Sequence, residues 1–220
     1  MKPRCTIVLF ALFAMAGCAT TAKKDYSAYF AHEPRSILVL PALNDTTAVD
    51  AQPVYMTTVS RPLAERGFYV FPIYLTELLL RDLGLPEAGL VHQLPLERFR
   101  EHFGADAVLF VTIKDWSNKY ILLQSSTVVT VDFVLKDTRT GTVLWASTQT
   151  AAQNSGDGGG GIIGMLVNAA VTYAVNQMIE IDYRPLAQQA NAQAFVMPGA
   201  GIPAGPYHPD FGKNKDRYSP

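Results

Sequence analysis

The chain has 220 residues, 49% apolar and 17% charged, with 18 basic side chains against 19 acidic ones. That is too hydrophobic for a wholly disordered chain and too mixed for a polytopic membrane protein. The near-neutral balance lacks the basic footprint that binding to a phosphate backbone needs, which excludes nucleic acid as the expected partner.

The first element is a processing signal. Lys2 and Arg4 precede an apolar run over residues 6–15, too short at 1.5 Å per residue to span a bilayer of about 30 Å but suited to a secretory h-region. It ends in Met15-Ala16-Gly17-Cys18, which resembles a bacterial lipobox. Met15, Ala16 and Gly17 are then the signal-peptidase recognition residues, and Cys18 is the lipidated residue. Met15 stands where Leu is usual. A plain cleaved signal or a buried helix are the other readings of this stretch.

Cleavage before Cys18 removes Cys5, Lys2 and Arg4, leaving 203 residues with 16 basic and 19 acidic side chains and a formal charge of −3. With Cys18 acylated, no thiol is left for a disulfide, a metal or a nucleophile. Several acyl chains on one residue hold a protein on a membrane far more firmly than the single chain that binds reversibly. Ala19 and Thr20, rather than an inner-membrane retention aspartate, follow the cysteine. The expected location is therefore the outer membrane, with the domain in the periplasm and surface exposure as the open alternative.

Residues 18–35 read as a lipidated tether carrying Tyr26, Tyr29 and Phe30. It either lets the domain stand off the membrane or packs back on it. The folded domain is expected over residues 36–185. Ile37-Leu-Val-Leu40, stopped by Pro41, is a buried strand, and the loop 44–47 is rich in side chains that bond to the backbone. Asp50 and Pro53 open a helix running to about Arg66, interrupted or kinked near Pro62 and closed by Gly67. Residues 68–71 make a second strand. A helix over 76–83 places Leu79 and Leu83 at i, i+4, and Gly84 ends it. Another helix opens at Pro95 with Leu96, Phe99 and Phe103 on one face and stops at Gly104.

The pattern then turns to β. Residues 107–115 are β-rich, and 127–135 alternate with Val129, Val131, Phe133 and Leu135 on one face. Asp137-Thr-Arg-Thr-Gly141 is a hairpin signal leading into a strand over 142–150. This order predicts a single α/β (α+β) domain with a mixed sheet flanked by helices. Residues 158–179 carry no charge; packing in the core, packing at an interface and bilayer contact all stay open for them. Residues 186–220 are expected to be a mostly disordered C-terminal extension, since 198–220 hold five prolines and four glycines.

Signals for chemistry are sparse. The four histidines, His32, His92, His102 and His208, have no metal-ligand spacing, and no nucleophile elbow occurs. The glycines of 156–161 are not followed by the Lys-Ser/Thr pair of a phosphate loop. Asp45, Asp50 and Glu65 lie where α/β sheets often present ligand groups, but capping explains them more simply. Trp116, Tyr120 and Trp145 either form an exposed aromatic patch or cover a core edge. No enzyme, cofactor or metal site is expected.

Several segments carry a resemblance. The lipobox, residues 37–46, Arg66-Gly-Phe-Tyr-Val-Phe-Pro72, the stretch from Phe103 through Trp116, and Asp137-Thr-Arg-Thr-Gly141 together resemble a family of bacterial lipoproteins that includes a genome-derived neisserial antigen. The resemblance implies a fold like the TolB N-terminal domain, shared with CsgG-type secretion lipoproteins and with lipoprotein activators of cell-wall synthases. It also implies an outer-membrane accessory or assembly factor of an envelope complex, with a CsgG-like lipoprotein as a partner and a homo-oligomer as a further option. The alternatives are a regulatory activator of a peptidoglycan synthase and a small-molecule-binding periplasmic domain using the 44–50 loop.

Overall fold

A computed structural model describes residues 24–121, 124–154, 181–213, 215 and 218. The chain runs through helix α1 (Ser27–His32), strands β1 (Ser36–Val39) and β2 (Leu43–Asn44), helices α2 (Ala51–Met56) and α3 (Ser60–Glu65), and strand β3 (Tyr69–Val70). Helices α4 (Ile73–Asp82), α5 (Ala88–Val91) and α6 (Leu96–Phe103) follow, then strands β4 (Ala107–Ile121), β5 (Gln124–Asp137) and β6 (Val143–Asn154), and helix α7 (Arg184–Val196). The mixed sheet flanked by helices is the architecture expected from the order of elements.

The sheet order is β3-β1-β4-β5-β6, with β2 also on β4. β1 pairs in parallel with both β3 and β4, and β4, β5 and β6 form an antiparallel meander. β1 is buried on both faces, and its alternation divides two cores. Ile37 and Val39 face one with Leu109, Val111, Val131, Phe133 and residues of α1, α2, α3 and α7. Leu38 and Leu40 face the other with Leu80, Val91 and Phe99 from the helices between β3 and β4. This is why 37–40 has no polar position: a parallel central strand has no wet side.

Register along β4 is interrupted between Ile113 and Asp115. The extra residue of a bulge shifts the alternation, so Trp116, three residues after Ile113, is buried in the same core. Sequence alternation alone misses such a shift, and the strand extends beyond the expected 115 to Ile121. The helix expected across 50–66 is two short ones, separated at residues 57–59. The Asp137 hairpin has Gly141 at φ +72° as the signal requires. Asp137 Oδ1 accepts from the Arg139 and Thr140 amides and from Thr140 Oγ1.

The described residues near both ends of the chain are packed on the domain. The aromatics of the predicted tether pack back: α1 buries Tyr29, and Tyr26 ahead of it is also in the core. The predicted disordered extension over 186–220 is, in its described residues, largely structural. α7 buries Leu186, Ala187, Ala190, Asn191, Ala194 and Phe195, and each fully buried large apolar side chain contributes about 1.5–3 kcal/mol. Downstream, Ile202 is fully buried, and its carbonyl accepts from Arg66. At Gly67, φ is +84° and a Cβ would lie 2.3 Å from the His208 nitrogen, so only glycine admits the passing backbone.

Candidate functional site

The residues that would declare the anchor, Met15, Ala16, Gly17 and Cys18, lie outside the described residues, as does the uncharged segment 158–179. The other sequence candidates can be placed. In the 44–50 loop the Asn44 and Thr46 side chains bond within the loop itself. Asn44 Nδ2 donates to the Ala48 carbonyl at 2.7 Å, while Asn44 Oδ1 accepts from the Thr46 amide and hydroxyl at 3.0 and 2.7 Å. Asp45 is paired with Lys114 at 2.7 Å. A cavity of about 350 Å³ touches only the end of the loop, at Asp50, and the Asp182 carboxylate in its wall is held by Arg184 at 2.9 Å. These groups build a loop; they do not converge on a ligand.

A second groove, about 600 Å³, lies at the start of β1 and β4 and is lined by His32, Arg35, Asp106, Asp137 and Arg139. Its carboxylates are committed to the fold. Asp106 accepts from the Ser36 amide and hydroxyl at 3.2 and 3.1 Å. Burial works against the Asp137 charge, but the bonds from Thr140 and Arg139 prevail and hold its carboxyl below the ordinary range. Among the described residues no group of three or more His, Cys, Asp and Glu is arranged to hold a metal. No helix among them is long and apolar enough to cross a membrane.

The tryptophans cover core edges. Trp116 is 4% exposed and stacks on Tyr183 at 5.0 Å. Trp145 is 3% exposed and packs near Phe133 and Phe195, at 6.1 and 5.8 Å between centroids. Their partners on β5, Val129 and Leu135, are six residues apart, so the two indoles sit about 20 Å from each other along the sheet.

The conspicuous surface is on α4. Thr76 and Leu80 form its buried stripe, while Tyr74 and Leu75 are 73% and 57% exposed and Leu78, Leu79 and Leu83 are exposed as well. Leu79 and Leu83, the i, i+4 pair of the sequence, both lie on the exposed side, while Thr76 and Leu80 turn inward. Burial pushes the Glu77 carboxyl up, against the pull of Arg81. A surface helix normally shows one apolar stripe; this one has an apolar inner and outer side. At about 150–250 Å² per large side chain, the outward five expose on the order of 500 Å², the scale at which a patch marks an interaction site. Its signal in the sequence was the run from Ile73 to Leu83, richer in leucine than one face can use.

Comparison with known proteins places these features in a family. The family described as "Putative lipoprotein GNA1162-like" matches residues 24–207. A relative from Neisseria meningitidis serogroup B, "Putative lipoprotein NMB1124/NMB1162", is 32% identical over 186 residues, covering 84% of this chain and 86% of its own. The crystal structure of lipoprotein GNA1162 from Neisseria meningitidis is similar with a TM-score of 0.54 and 34% identity, over 65% of this chain and 99% of that one. The LpoB C-terminal domain from Escherichia coli is similar at TM-score 0.38 and 19% identity, over 55% of this chain and 85% of that one. With its match spanning both cores and the meander, the chain belongs to the GNA1162-like lipoprotein family.

Proposed function

We propose that the protein is a non-enzymatic accessory or assembly factor of an envelope complex. It is held at the outer membrane through a lipidated Cys18, with its domain in the periplasm, and it docks a partner protein on the outward face of α4. The observation that carries the docking surface is the exposed Tyr74, Leu75, Leu78 and Leu79 on α4 with Leu83 at its C-cap. The family supports the anchor. The 44–50 loop, whose Asn44 and Thr46 side chains bond to the loop itself, favours protein binding over a small-molecule site.

The anchor is tested by growing cells with labelled palmitate. The wild-type chain takes up label and stays with outer-membrane fractions, and Cys18→Ala loses both; a Cys18→Ala chain that keeps both overturns the anchor. For docking, a photo-reactive amino acid is installed at position 78, and at the exposed position 61 as a control. A discrete adduct with one envelope protein at 78 and not at 61 is expected. Equal patterns at the two positions overturn the α4 reading.

A further inference from the structure

β6 is the outer strand of the meander, and among the described residues it pairs with β5 alone. Among the described residues, its twelve residues make no other backbone hydrogen bond. Since alternate residues of an antiparallel strand turn their N–H and C=O away from the partner, about half of them present unpaired donors and acceptors along the free edge. Proteins normally blunt such an edge by shortness, a charge, a proline or a bulge. β3, at the opposite end of the sheet, is short, with two residues. β6 is long, and its sequence Val-Leu-Trp-Ala-Ser-Thr-Gln-Thr-Ala-Ala-Gln-Asn contains neither charge nor proline. The charges of the meander sit on its inner strands instead: Lys114, Asp115 and Lys119 on β4, Asp132, Lys136 and Asp137 on β5. Apart from a register shift beside Leu144, at its start, the residues of β6 supply none of these devices.

We propose that this edge pairs with β6 of a second copy of the chain, antiparallel about a two-fold axis near Gln149, so that two sheets become one. The edge chemistry requires an extended strand as the occupant, and the lack of charge points to the same strand. Self-pairing sets no like charges opposite one another, whereas a charged partner strand would find no counter-charge. Ser147, Thr148, Gln149 and Thr150 each carry a group that both donates and accepts, so the middle of the strand is complementary to itself. About an axis at Gln149, Thr148 of one copy stands opposite Thr150 of the other. Thr150 already makes this kind of contact within the chain, with Thr130 Oγ1 at 3.0 Å, and such cross-strand hydroxyl pairs stabilise antiparallel sheets. A C2 contact of this kind closes on itself and leaves neither β6 edge free. This association does not depend on the docking face of α4.

The test uses the full chain, carried in the same cells with two different affinity tags and extracted in mild detergent. Two wild-type copies co-purify. Copies bearing Thr148→Lys with Thr150→Lys do not co-purify with each other, because four like charges meet across the junction, and neither do copies bearing Thr148→Glu with Thr150→Glu. A Lys copy mixed with a Glu copy recovers co-purification, which also shows that both variants fold. Wild-type copies that do not associate, or charge variants that associate as the wild type does, overturn the proposal. Leu78→Ser leaves the pairing unchanged; a pairing lost with Leu78→Ser and kept in the β6 variants assigns the contact to α4 and overturns it too.

Discussion

Arg66, at the end of α3, donates two hydrogen bonds to the carbonyl of Ile202, from Nη2 at 2.6 Å and Nε at 3.1 Å. The planar guanidinium spans 136 residues of sequence. Around it the Gly205 amide donates to the Arg66 carbonyl and the Tyr207 amide to the Gly67 carbonyl. Tyr26 and Tyr29 donate to the Gly201 and Pro203 carbonyls. The C-terminal segment is thus strapped across α1 and the α3–β3 corner.

Arg66→Ala should therefore loosen the strap. It removes two charge-assisted bonds and leaves the carbonyl of a fully buried residue short of donors, a loss of about 2–3 kcal/mol. Lysine presents a point charge and no fork, so Arg66→Lys should recover less than half of it. Hydrogen exchange at the Gly205 and Tyr207 amides reads the effect directly: faster exchange there, with the β4–β5 amides little changed, is the expected result.

The strap marks the limit of what the sequence made legible. β1, the meander and the Asp137 turn were readable because their signals are local: a continuous apolar run, period-two alternation, and a glycine where φ must be positive. The strap was not readable, because its order comes from Arg66, Tyr26 and Tyr29, more than 130 residues distant. Proline and glycine there reduce the entropy of the free chain or admit close backbone approach, and composition alone cannot distinguish that from a tail. The candidate site was hidden for a related reason. Which side of α4 faces inward is decided by the pocket that Thr76 and Leu80 fill, and apolar residues spread over more of a helix than one face can use leave its phase open.

A buried polar chain joins α7 to α2. Tyr55 donates to Asn191 Oδ1 at 2.9 Å, Asn191 Nδ2 donates to Thr58 Oγ1 at 2.9 Å, and Thr58 Oγ1 donates to the Tyr55 carbonyl at 2.7 Å. Asn191 is fully buried, so Asn191→Ala opens a cavity and strands two partners, for a loss of about 2–4 kcal/mol. Tyr55→Phe strands only the amide oxygen and should cost about 1–2 kcal/mol. Because the two residues act in one network, the double variant should lose less than the sum. Urea unfolding of the four proteins checks it.

Acid should weaken the Asp137 turn. Burial opposes its charge, but the Thr140 and Arg139 donors keep its folded carboxyl below the ordinary value of 3.8. A depressed folded pKa gives stability that is complete above the unfolded value and is lost as pH falls through the lower folded one. Asp137→Asn keeps an acceptor and removes the charge, so its unfolding midpoint should fall less steeply than the wild type's below about pH 4. At pH 7 the same change should cost about 1 kcal/mol. Wild type and variant with parallel acid profiles would show that the turn does not hold Asp137 ionised.

The two sides of α4 should respond oppositely to substitution. Leu80 is 2% exposed and belongs to the core against Leu38, Leu40 and Phe99. Leu80→Ala leaves a cavity there and should cost about 2–5 kcal/mol. Leu75 and Leu78 are exposed, so Leu75→Ser with Leu78→Ser should change stability by no more than about 0.5 kcal/mol each. The surface consequence runs the other way: the serine pair should lower binding of a dye that reports exposed apolar surface, while the folded Leu80→Ala protein keeps it. Thermal unfolding and dye titration on the same samples separate the two effects. A serine pair that unfolds as readily as Leu80→Ala would place those leucines in the core and remove the docking face.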